Sequence, residues 1–278
     1  MATQRTTAGG ADAATVIDTA DRSELKLVIE ENVQAVIFTP PALPGWFDEV
    51  AHSVETGDFQ IARTVLPNAN YQEIERTLEL RISTGVLSAE VRECLKQDMM
   101  ALVDDLRGIY GVSRFMLRCF TEAPTHDCGY HVDTVPPAAP TCGLLRVYNG
   151  QGTEYADPRN VTSMLEFYRY LAHRERLVRE RREMQRAGHS SAALDLEIDA
   201  LDKERAFLTR PREVNIAPAG AIIAFKHVDI RQHWANHPKS QAWIHCSPMS
   251  GKARLVVNLT APGWARSDRR QATRGISH

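Results

Sequence analysis

A histidine and an aspartate two residues apart, His131-Val132-Asp133, constrain the architecture of this chain more than any other feature. On a strand, alternate residues point the same way, so an extended segment lets both side chains reach one ion. A third ligand of the same kind, His245, stands far downstream on the apolar stretch Ala242 to Cys246, with Trp243 and Ser247 on its face. Two imidazoles and one carboxylate make up a metal face that suits iron and leaves the opposite positions open for a co-substrate and O2. The triplet alone is a weak signal, because the chain carries a second copy, His227-Val228-Asp229. Context separates the two. His131 precedes several strands, whereas His227 leaves the apolar strand Ala221 to Phe225 for a polar loop containing His233 and His237. His131, Asp133 and His245 are therefore expected to be the metal ligands. His227 and Asp229 are read as loop residues or substrate contacts.

The surrounding pattern favours a framework of short strands. Gln34 to Phe38 reads as a strand, and Trp46 to Val54 and Tyr71 to Ile82 carry helical spacing. Ser88 is placed to cap a helix running to about Tyr110, with Val91, Leu95, Met99, Leu102, Val103 and Leu106 as its core stripe. From Val112 onward the texture changes to Arg114–Cys119, Leu144–Tyr148 ending at Asn149-Gly150, Val214–Ile216, Ala221–Phe225, Ala242–Cys246 and Arg254–Leu259. Many short strands punctuated by glycine and proline point to a double-sheet barrel or jelly roll. Residues 161–210 interrupt it with helical periodicity and a dense mix of arginine and glutamate, broken at Ala187-Gly188-His189-Ser190. They are expected to form an inserted helical hairpin with a solvated arginine face, or a lid or homodimer contact. The expected fold class is α+β, a double-stranded β-helix core with N-terminal helices. Residues 1–22 are expected to be a flexible tail, and 23–278 a single domain.

Arg254 opens the strand after His245, nine residues on. If those strands are antiparallel neighbours, it lies in the same cavity and needs an anionic partner. A protein carboxylate could serve, but the distal carboxylate of 2-oxoglutarate accounts better for the placement. Arg146 and Tyr148 alternate onto one face of their strand and are further candidates for holding co-substrate. Tyr130, Trp243, Asn258 and His227 are candidate substrate contacts.

These elements resemble, in their order, the double-stranded β-helix Fe(II)/2-oxoglutarate dioxygenases. More narrowly, Tyr130-His131-Val132-Asp133, Leu144 to Glu154, Pro218-Ala219-Gly220 and His245-Cys246-Ser247-Pro248 resemble a bacterial family with a histidine–aspartate pair, a GxGTE segment and an HxSP-like segment. The resemblance covers roughly residues 112–261. It implies bound Fe(II), 2-oxoglutarate and O2, with hydroxylation of a small molecule as the default outcome and desaturation or oxidative cyclisation as variants. The presence of Asp133 argues against a halogenase, in which the resemblance implies a small residue at that position. Cys246 and Val256 depart from the pattern, where a basic residue and a Ser or Thr are expected.

The totals set outer bounds. A chain of 278 residues with 43% hydrophobic and 24% charged content suits a globular domain with a large core. A net charge of -2 gives no reason to expect nucleic acid or a membrane surface as partner. Five cysteines without a CxxC spacing favour reduced thiols and hence a cytoplasmic setting. Cys128, close to His131, reads as a small buried residue rather than a ligand. Two other functions remain open: an iron oxygenase of the same fold that binds its substrate on the metal without 2-oxoglutarate, and a non-catalytic zinc protein using His227, His233, His237 and His245. A carboxylated small molecule such as an amino acid is the expected substrate class.

Overall fold

Strand burial explains how the chain is layered. In a computed structural model of the protein, which describes residues 14–83, 86–125, 128–137 and 139–262, three strands are buried at every position: β2 (Val33–Phe38), β6 (Cys142–Val147) and β12 (Arg254–Thr260). Strands of this kind are covered on both faces, so their residues divide between two cores. Leu255, Val257 and Leu259 of β12 pack against helices, while Val256 packs toward a second, smaller sheet.

In chain order, β1 (Thr15–Thr19) is followed by a 3-10 helix (Arg22–Ile29), β2, α1 (Trp46–Thr56), β3 (Thr64–Ala69), α2 (Tyr71–Ile82), α3 (Ala89–Tyr110) and β4 (Phe115–Glu122). Then come β5 (Thr134–Val135), β6, β7 (Glu154–Tyr155), α4 (Met164–Arg186), α5 (Ala192–Glu204), β8 (Asn215–Ile216), β9 (Ile222–Lys226), β10 (Val228–Asp229), β11 (His245–Cys246) and β12. The large sheet has the order β1-β2-β9-β6-β12-β4-β3. The small sheet has the order β11-β7-β8, and His131 extends it by a bridge to His245. β10 pairs with β5.

Helices α1 to α3 cover the outer face of the large sheet, and α4 covers the outside of the small sheet through Phe167, Tyr168 and Tyr170. The expected α3 stripe is buried in full, and Ser88 caps the helix by accepting from the Val91 N–H at 3.3 Å. Asn70 and Glu73 cap α2 reciprocally. No helix among the described residues is long and apolar enough to cross a membrane.

Three expectations need correction. Residues 15–22, expected as part of a flexible tail, form β1 and the start of the 3-10 helix, because Thr15–Thr19 pairs in parallel with β2; residues 1–13 lie outside the described residues. β11 and β12 are not neighbours: β11 pairs with β7 in the small sheet, and β12 lies between β4 and β6 in the large one. The helical insert is present, but its arginines are not all solvated. Arg174 and Arg181 are buried and reach Asp202 and Asp195 on α5 at 2.8 and 3.3 Å.

Candidate metal centre

Backbone pairing sets the two histidines side by side. His131 and His245 exchange both N–H···O bonds of a β-bridge, at 2.8 and 3.0 Å, and their rings stand 4.4 Å apart. Each ring is then oriented by a carbonyl two residues before it. His131 Nδ1 lies 2.9 Å from the Gly129 carbonyl and His245 Nδ1 lies 3.0 Å from that of Trp243. A carbonyl can only accept, so each Nδ1 carries a proton and each Nε2 is the atom left to bind a metal. Trp243 stacks on His245 at 4.5 Å with an 18° tilt, and Phe225 meets it edge-on at 5.2 Å, which fixes the ring further.

Asp133 completes the set. One ligand atom from each of His131, Asp133 and His245 lies within 4.8 Å of the others, and among the described residues no other cluster of this kind occurs. Its Oδ1 is 3.9 Å from His131 Nε2, and its Oδ2 accepts from Asn258 Nδ2 at 3.3 Å. Burial opposes ionisation of Asp133, but His227, His245, His131 and Arg118 around it hold the carboxyl well below its usual range. Burial holds His245 neutral, down to about 3, and His227 to about 4. A carboxylate and neutral imidazoles are the forms that bind a divalent ion. Burial opposes a charge on His131, but Cys128, Asp133 and the Gly129 carbonyl raise it to about 9, so a metal bound there displaces a proton. The donor set and its tautomers then fit iron.

The other expected site residues are divided by the large sheet. Asn258 and His227 come to the metal side: His227 Nε2 lies 3.8 Å from Asp133 Oδ2, in space that Gly143 leaves open. Trp243 is fully buried as a wall behind His245. Tyr130 points away from the triad, donating its hydroxyl to Glu154 at 3.1 Å and packing on Phe207. Arg146 and Tyr148 face the helices, where Asp98 of α3 receives both, at 3.0 and 2.7 Å. The strand alternation that groups them also turns them away from the metal, so they do not line the site.

Arg254 faces the metal side, yet its charge is already answered. Its Nη2 meets Glu122 Oε1 at 2.6 Å, and its Nη1 donates to the Gln151 carbonyl at 3.0 Å. Ser247 donates to the same Glu122 oxygen at 3.2 Å. The sequence assigns the anionic partner of Arg254 to a co-substrate; in the structure a protein carboxylate, Glu122, takes that place. Cys128 is exposed rather than buried, with its sulfur 3.9 Å from His131 Nδ1.

The zinc alternative loses its geometry. His233 and His237 gather around Tyr168, whose hydroxyl lies 2.8 Å from His237 Nε2, and not around His245. Sequence reasoning passed over Arg118 and Glu122. Both lie on β4 on the face shared with Phe120, and a charge inside the otherwise apolar run Phe115 to Phe120 was the available signal.

No protein-family model and no curated protein matches the chain. Among solved structures, the dioxygenase for auxin oxidation from rice is similar over 92% of this chain and 84% of its own, at 11% identity and a TM-score of 0.39. The 2-oxoglutarate complex of dioxygenase for auxin oxidation 1 from Arabidopsis thaliana is similar over 91% and 93%, at 11% identity and a TM-score of 0.39. Scores of this size do not establish a shared fold.

Proposed function

We propose that the chain is a non-heme Fe(II) oxygenase of the 2-oxoglutarate-dependent type, acting on a small molecule, with His131, Asp133 and His245 holding the metal. The observation that carries this reading is the convergence of two correctly tautomerised imidazoles and one carboxylate from two remote segments. The interleaved strand order supports it: β4-β12-β6-β9 in one sheet faces β11-β7-β8 and His131 in the other, as in a double-stranded β-helix. Iron bound there would supply O2 activation, coupled to oxidative decarboxylation of the keto acid. The chain's own part is to orient. Gly129 and Trp243 carbonyls fix the imidazoles, Asn258 holds one oxygen of Asp133, and Phe225 and Trp243 keep water from the back of the site.

The test is succinate formation by protein loaded with Fe(II) without oxygen, then given O2, 2-oxoglutarate and a panel of amino acids and related acids. Iron-dependent succinate that disappears in His131→Ala and Asp133→Ala is the expected result, and preserved turnover in either variant would sink the ligand assignment. A second reading is favoured by the Arg254–Glu122 pair, which occupies the arginine otherwise available to 2-oxoglutarate. In that reading the substrate binds the metal directly, and O2 uptake with substrate is unchanged when 2-oxoglutarate is omitted.

A further inference from the structure

On the metal side of the large sheet, buried polar atoms without partners gather at one place. Both ring nitrogens of His227, which is 2% exposed, have no hydrogen-bond partner, and neither does Oδ1 of Asn258, which is 8% exposed. Leaving such a group unpaired is costly, so a cluster of them marks a place built for something else to bind. Both residues also flank Asp133, at 3.8 and 3.3 Å.

Arg118 stands beside them. It is directly opposite Asn258 in the β4–β12 register, and its charge is felt at both Asp133 and His227. Among the described residues its side chain makes one hydrogen bond, a long one from Nη2 to the sulfur of Met116 at 4.0 Å, and no carboxylate lies within ion-pair distance of it. Arg254 shows the opposite condition. It starts β12 four residues before Asn258, roughly 13 Å along the strand at the usual rise, and Glu122 and Gln151 already take its donors.

Resting on the iron-oxygenase reading, we propose that Arg118, with Asn258 and His227 beside it, forms the subsite that receives a carboxylate of the bound organic ligand, and that Arg254 is a structural partner of Glu122. The guanidinium offers a planar pair of N–H donors that matches a carboxylate. The unpartnered ring nitrogens of His227 add a hydrogen-bonding group, and Asn258 Oδ1 accepts an O–H or N–H adjacent to that carboxylate. The ligand class is an organic acid, either the keto-acid co-substrate or the substrate itself.

Full-length protein loaded with Mn(II), which keeps the octahedral site without oxygen chemistry, is titrated calorimetrically with 2-oxoglutarate, succinate and a panel of amino and hydroxy acids. The proteins compared are wild type, Arg118→Gln, Arg118→Lys and the Arg254→Gln/Glu122→Gln pair. Each variant is first checked for an intact melting transition and for Mn(II) binding. Removing a charge-assisted pair should weaken binding by about tenfold or more in Arg118→Gln, with partial recovery in Arg118→Lys. The paired variant should melt earlier but bind acids as wild type does. Loss of 2-oxoglutarate binding in Arg118→Gln assigns the subsite to the co-substrate, and loss for another acid alone assigns it to the substrate. If wild type binds no 2-oxoglutarate but binds another acid through Arg118, the subsite stands and the 2-oxoglutarate reading falls. If no acid depends on Arg118, or if affinity follows Arg254, the proposal is overturned.

Discussion

Gly143 shows how one missing side-chain atom sets the metal surroundings. A Cβ there would stand 2.5 Å from Cε1 and 2.7 Å from Nε2 of His227, and 2.9 Å from Cγ2 of Thr260. Gly143→Ala should therefore push His227 away from Asp133, with an overpacking cost of about 1–3 kcal/mol. Urea unfolding should show that loss together with weaker Mn(II) binding, and an unchanged midpoint would show that the ring has room to yield. A second residue-scale effect concerns His233, which meets Tyr168, Trp234 and His237. Burial, with the neighbouring His237, pushes His233 down to about 4 from its ordinary 6.5. The unfolded chain then binds the proton more readily, so this contribution is full above about 6.5 and is lost as pH falls toward 4. The melting temperature should drop between pH 7 and pH 5, and less steeply in His233→Asn. Equal slopes in the two proteins would remove His233 as a source.

The helical hairpin of α4 and α5 ties into the metal segment by a buried chain of hydrogen bonds. Tyr170 accepts from the Tyr130 backbone N–H at 3.2 Å and donates to Asp202 at 2.6 Å, while Arg174 pairs with the same carboxylate. Gly129 leaves the space that Arg174 fills, since a Cβ there would come within 2.0 Å of its Nε. Asp202→Asn removes the charge paired with Arg174, and breaking a buried ion pair costs about 3–5 kcal/mol. A fall in the urea midpoint of that size is expected, with Tyr170→Phe milder; a surface-like change below 0.5 kcal/mol would contradict the network. Elements of this length were legible from sequence. The α3 stripe from Val91 to Leu106 repeats often enough to fix both type and face. Two-residue strands such as β5, β7 and β10 carry no periodicity to read. The reading of Ala242–Cys246 and Arg254–Leu259 as neighbours assumed that consecutive strands pair, the common case. Here the chain crosses between sheets instead, and it is Glu122 of β4 that stands against Arg254.

At the scale of the whole molecule, the site lies between two sheets and draws on both. The small sheet supplies His131 and His245 through their bridge, while the large sheet contributes Asn258 against Asp133 and His227 beside it. The triad itself was legible because side-chain type and two-residue spacing carry it. The surrounding polar residues were not, because which strands face each other is a property of the assembled sheets. An ion held by His131, Asp133 and His245 clamps segments that are remote in sequence, so binding must stabilise the native state over the unfolded chain. At one hundred times its dissociation constant the gain is about 2.7 kcal/mol. For a domain of about 150–250 residues, each kcal/mol moves the melting temperature by about 2–4 °C, so a rise of roughly 5–11 °C follows. Thermal unfolding with and without Mn(II) or Fe(II) under nitrogen should show this rise in wild type and lose it in Asp133→Ala. Asp133→Ala also removes the negative charge that His131 and His227 face, so its metal-free transition sets the baseline. An equal metal-dependent rise in Asp133→Ala would mean that the ion binds elsewhere and that the two sheets are not joined through this triad.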